Sequence, residues 1–157
     1  MIRQKLHLHD LFAFVGLDSS ALMEMLLSDT AKQFFLKEVY SFEKNLIFTH
    51  RVCIGECLGL LVGKYLHSKE DARQKIKNLL EEFQITILEE EPVAEDINYV
   101  FGIGKKYGWE GTIANRDALI IASFWKKEIK TVIVRDKIFE NVCRELKILS
   151  FPFPKFP

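Results

Sequence analysis

"VGLDSSALM", residues 15–23, decides how the rest of the chain is read. It closes the apolar run FAFVGL (12–17) with a carboxylate, and the chain returns at once to Ala21, Leu22 and Met23. A short, continuously apolar run is the signature of a strand buried on both faces, so residues 12–17 are expected to be a strand. Ser19 and Ser20 are good cap residues, and Ala21 to Leu27 continues as a helix. No basic residue stands near Asp18. An unpaired charge in apolar surroundings is costly, so Asp18 must be capped, paired or useful.

The same alternation repeats outward. A helix is expected from about Thr30 to Lys44, with Phe34, Phe35, Val39 and Phe42 as its apolar positions, then a strand at NLIFT (45–49). Residues 51–66 read as a helix that is apolar or small on nearly every side, which implies burial. Gly55, Gly59 and Gly63 recur there every fourth residue. Such a stripe permits close packing, although each glycine weakens the helix. A charged helix (69–83), a strand at ITIL (85–88) and an acidic break at Glu89–Pro92 follow. Then come a helix (93–107), a turn at GWEG (108–111), a buried helix (113–125), a strand at TVIV (131–134), a helix (137–146) and a last strand at KIL (147–149). Short apolar strands alternating with helices predict an α/β fold, a three-layer α/β/α sandwich around a mostly parallel sheet. Ligands bind beyond the carboxyl ends of such strands. Asp18 follows the first strand directly and Asp136 follows TVIV after Arg135 alone, so both are expected on one rim.

The composition sets limits on function. At 157 residues the chain suits one domain with a proper core, and 48% hydrophobic with 28% charged residues is ordinary for a soluble globular protein. Lys and Arg number 22, as do Asp and Glu, so the bulk positive field of a general nucleic-acid binder is missing. Contact with a polyanion then needs a local patch or a bound cation. No run is long and apolar enough to span a membrane, His7, His9 and Asp10 interrupt any leader, and Cys53, Cys57 and Cys143 suit a reducing compartment. The protein reads as cytoplasmic.

Two more acids share the oddity of Asp18. Glu56 has Val52, Cys53, Gly59 and Leu60 at helical spacing, and Asp117 has Ile113, Ala114, Ile120 and Ile121. Neither has the partner that supports an exposed helical charge. Four acids on separate elements, each in apolar surroundings, point to one shared site. If they converge, their repulsion must be relieved by protonation or a cation, and hard divalent ions take oxygen ligands.

These residues resemble a family. VGLDSSALM, Glu56, RDALIIASF and VIVRDKIFENV are similar to the acidic motifs of the PIN domain, in order and at suitable separations, from about Val15 to Leu149. Within it they resemble most the prokaryotic toxins of VapBC type and their solitary relatives. The resemblance implies Mg2+- or Mn2+-dependent endoribonuclease activity, a homodimer, and for the toxins a cognate antitoxin that blocks the site. It makes Asp18, Glu56, Asp117 and Asp136 the catalytic and metal-holding acids and matches Ser20 to a hydroxyl position. One departure is Val134, where the family often has Thr or Ser. Residues 1–14 become an N-terminal extension, 15–149 the PIN-like domain, and 150–157 a Phe/Pro tail, FPFPKFP from Phe151 onward.

Each residue also has a plainer reading. Asp18 and Asp136 could cap the helices that follow, Asp117 could sit near a helix N-terminus, and Glu56 could pair with a distant base. Capping and metal binding are compatible. Arg116 and Arg135 adjoin site acids, where they could hold substrate phosphate or balance charge. Lys105 and Lys106, with Lys126, Lys127 and Lys130, could guide RNA or form a solvated face. His50, Cys53 and Cys57 fall short of a structural zinc set, which needs four ligands. A phosphotransferase would want a second Asp where Ser20 stands. A PIN-like module that binds RNA or protein without cleavage is the remaining rival.

Overall fold

Strand β1 (Phe14–Leu17) is the middle strand of a five-stranded sheet. In the computed structural model, which describes residues 14–40, 46–89 and 91–154, it is flanked on one side by β2 (Leu46–His50) and β3 (Thr86–Leu88). On the other side lie β4 (Thr131–Ile133) and β5 (Leu149–Phe151), giving the order β3-β2-β1-β4-β5. Every pairing is parallel. Val15 and Leu17 are buried, and at Gly16 an added Cβ would come within 3.0 Å of the Phe124 ring. The missing side chain there is what lets a helix lie close against the sheet.

Helices α1 (Ser19–Leu27), α2 (Asp29–Phe35), α3 (Arg51–Gly63) and α4 (Lys69–Glu82) pack on one another, as do α5 (Ala94–Lys106), α6 (Gly111–Lys126) and α7 (Lys137–Glu145). Parallel crossovers are right-handed as a rule, which with this strand order puts the first group on one face and the second on the other. The α/β/α sandwich expected from the pattern is therefore present, with an all-parallel sheet.

Several boundaries differ from the sequence reading. Asp18, rather than Ser19 or Ser20, is the N-cap of α1, and both serines lie in its first turn. The second helix stops at Phe35 and continues as a π-helical turn, Leu36–Tyr40, while the expected remainder to Lys44 lies outside the described residues. Helix α3 ends at Gly63, and Leu66 has left the helical region with φ +57°. Its glycine stripe is exposed rather than buried, and a Cβ at Gly55, Gly59 or Gly63 would meet nothing within 4 Å. The last strand is shifted to Leu149–Phe151, so the sheet continues into the Phe/Pro stretch. There Phe153 is buried and meets Phe34 edge-on at 5.6 Å. The N-terminal extension as far as residue 13 and the tail from residue 155 lie outside the described residues.

Candidate active site

The chain runs β1, β2, β3 toward one edge of the sheet and then returns to place β4 on the open side of β1. Between those two strands the connections diverge, which opens a crevice at their carboxyl ends. Asp18 stands there, its backbone N–H donating to the Ile133 carbonyl of β4 at 3.5 Å. Its carboxylate accepts from the Ala21 N–H at 3.2 Å and from the Ser20 hydroxyl at 2.7 Å. The side chain is only 7% exposed. Burial, helped by the charge of Glu56, pushes its pKa up to about 6 against those two hydrogen bonds.

Asp136 leaves β4 on the same rim, exposed, and caps α7 by accepting from the Phe139 N–H at 2.8 Å. Asp117 arrives from α6, half-buried. Its pKa is pushed up to about 7, first by burial and then by the charges of Asp136, Glu56 and Asp18, with Arg116 opposing. Glu56 comes from α3 and accepts from the Ser19 hydroxyl at 3.1 Å. Asp117 thus lies within electrostatic reach of three carboxylates borne by other elements, and Asp18 within reach of Glu56.

Oxygen donors of this kind suit a hard divalent ion, and such an ion would relieve the repulsion that raises Asp117. As the side chains stand, no group of three or more His, Cys, Asp or Glu residues forms a ready cage among the described residues. The donor chemistry fits Mg2+ or Mn2+; the closed geometry is not preformed.

Arg116 is exposed and, with Val52, Gly55, Glu56, Gly59 and Leu60, lines an open groove of about 560 Å³ beside the acids. Arg135 turns the other way. It pairs with Glu24 of α1 at 2.8 Å and donates to the carbonyls of Phe153 and Pro154 at 3.4 and 3.2 Å. Lys126 pairs with Asp96 and Lys106 with Glu145. The zinc reading loses ground on chemistry, since burial pushes the Cys57 thiol up to about 12 and the Cys53 thiol well up too. His50 instead caps α3, its Nδ1 accepting from the Val52 N–H at 3.1 Å, and its buried Nε2 has no hydrogen-bond partner among the described residues.

No family model matches the sequence, and no curated protein matches it significantly. Solved structures do match. VapBC2 from Rickettsia felis, bound to a DNA fragment from its promoter, superposes with a TM-score of 0.62 at 14% identity, over 90% of this chain and 99% of that one. FitAB bound to IR36 DNA gives 0.58 at 18% identity, over 88% of this chain and 94% of that one. FitAcB from Neisseria gonorrhoeae gives 0.56 at 18%, over 87% and 96%. These are toxin–antitoxin complexes whose toxin component is a PIN domain. The fold is PIN-like.

In that PIN-like frame, Val134 is buried, its N–H donating to the Phe151 carbonyl at 2.9 Å, so the position extends the sheet edge instead of offering a hydroxyl to the rim. From the sequence Ser19 reads as a cap residue and not as part of the site. Its only local signal is that it neighbours Asp18, and its partner lies 37 residues away. No helix among the described residues is long and apolar enough to cross a membrane.

Proposed function

We propose that the chain is a cytoplasmic, Mg2+- or Mn2+-dependent endoribonuclease, the toxin of a toxin–antitoxin pair, working as a homodimer and held in check by a cognate antitoxin. One observation carries the reading: the strand order sets the carboxyl end of β1 beside β4, and the Asp117 carboxyl, pushed up first by burial and then by the charges of Asp136, Glu56 and Asp18, lies within electrostatic reach of the other three acids. The PIN-like fold supports it, since the matched structures are toxin–antitoxin complexes.

The bound ion would supply charge neutralisation at the phosphodiester and an activated water. The four carboxylates would hold it, with Ser20 orienting Asp18 through its 2.7 Å hydrogen bond. Arg116, exposed at the groove mouth beside Glu56, would hold a substrate phosphate. Of the two roles open to Arg135, phosphate ligand or charge balance, its contacts with Glu24 and the carbonyls of Phe153 and Pro154 favour charge balance and anchoring of that segment. A PIN-like module that binds RNA without cleaving it is the second reading, favoured by the lack of a preformed ion cage among the described residues.

Labelled single-stranded RNA incubated with Mn2+ or EDTA, beside an Asp18→Asn variant, separates the two. Cleavage that requires both the metal and Asp18 supports the nuclease. RNA retained but left whole by wild type and variant alike, across several RNAs, supports the binding module.

A further inference from the structure

Asp18 caps α1, which makes Ser19 and Ser20 the first two helical residues. Their hydroxyls go to different acids: Ser20 donates to Asp18 Oδ1 at 2.7 Å, and Ser19 donates to Glu56 Oε2 at 3.1 Å. The second bond joins α1 to α3, and the next residue of α3 reinforces the join, the Cys57 thiol reaching the Ser19 carbonyl at 3.8 Å. Glu56 has little else to fix it. Gly55 precedes it and Gly59 lies one turn on, and apart from their chain neighbours and the helix's own backbone nothing stands within 4 Å of where their Cβ atoms would be. Among the described residues, Ser19 is the hydrogen-bond donor Glu56 has. A glutamate bordered by open space carries several rotatable bonds, and a single hydroxyl donor on Oε2 restricts them while leaving Oε1 available.

We propose that Ser19 is a positioning residue for Glu56: its hydroxyl holds that carboxylate toward the crevice, where it joins Asp18, Asp117 and Asp136 in binding a divalent cation. The proposal rests on the metal-dependent reading above and adds to it a residue that touches neither ion nor substrate. Two consecutive serines then orient two acids that are far apart in sequence. Supporting residues of this kind change metal affinity by roughly 10- to 100-fold when removed.

The test is a Mn2+ titration of the full chain, followed by electron paramagnetic resonance of the free ion, on wild type, Ser19→Ala and Ser19→Thr. Thermal unfolding in EDTA is recorded for each. The expected result is about a 10-fold weaker Mn2+ affinity for Ser19→Ala, near-complete recovery in Ser19→Thr, and matching melting temperatures in EDTA. Equal affinity in wild type and Ser19→Ala overturns the inference and leaves the nuclease reading standing. An affinity loss that Thr does not restore, or one matched by a large fall in melting temperature in EDTA, makes the contact a simple staple between helices and also overturns it. If wild type takes up no Mn2+, the metal-dependent reading falls, and this inference with it.

Discussion

Asp18 does two things with one carboxylate. It caps α1, and it holds a charge at the crevice where burial disfavours that charge. The two roles separate in Asp18→Asn, because Asn caps a helix about as well as Asp. At pH 8 that variant should unfold at a temperature no lower than wild type, since it removes a buried charge, yet lose more than about 100-fold in RNA cleavage, beyond the usual effect of supporting residues. Circular dichroism melts beside a cleavage time course check both halves; a folded variant that still cleaves at the wild-type rate would remove Asp18 from the mechanism. Much of this residue was legible in the sequence. Its apolar context and lack of a basic neighbour marked it as unusual, and its partners Ser20 and Ala21 lie in the same nine letters. The Ser19 contact was not legible, because nothing in a linear sequence says which residue of α3 will face the first turn of α1.

The helices show where the pattern informs and where it goes silent. Helix α3 is apolar or small on nearly every side, so periodicity could not say which side faces the core, and its glycines were read as buried. They are open to solvent. Gly59→Ala should therefore stabilise the protein by about 0.5–1 kcal/mol, the helical cost of glycine, measured by urea denaturation. The same substitution at Gly104 of α5 should do the reverse. A Cβ there would overlap the Trp109 ring, 1.8 Å from Cε3, and overpacking of this sort costs about 1–3 kcal/mol. Nothing nearby in the sequence distinguishes these glycines, since what differs is the neighbour each one meets after folding. The alternation of strands and helices was legible throughout, because strands buried on both faces must be continuously apolar. Their ends were less so: KIL gave way to Leu149–Phe151 because pairing with β4, not composition, sets that register. Beyond it, Phe153 is buried, and Phe153→Ala should cost about 3 kcal/mol in the same urea experiment.

For the molecule as a whole, the crevice couples folding to pH. Burial and neighbouring carboxylates push the Asp18 and Asp117 carboxyls up to about 6 and about 7 from the ordinary 3.8 of an aspartate. The folded chain therefore binds these protons more tightly than the unfolded chain does. Their contribution is fully favourable below about pH 4 and is lost as pH rises through 6 and 7. Metal-free protein should melt at a lower temperature at pH 8 than at pH 5 on their account, and Asp117→Asn should flatten that slope. Millimolar Mn2+ should raise the melting temperature more at pH 8 than at pH 5, because it replaces the lost protons; an identical shift at both values would argue that the ion binds elsewhere. The strand order behind this crevice was only partly foreseen. Alternation predicted a parallel sheet and put Asp18 and Asp136 on one rim, but not that β4 would be the strand beside β1. That adjacency has a consequence in time. Chains are made from the N-terminus, so β1, β2 and β3 leave the ribosome while the place beside β1 is still empty, and Asp136 is not yet translated. A growing chain then has an open central edge, exposed to wrong pairing, but an incomplete set of acids. If the four acids act together as proposed, a chain built in this order stays inert until its fourth strand slides home.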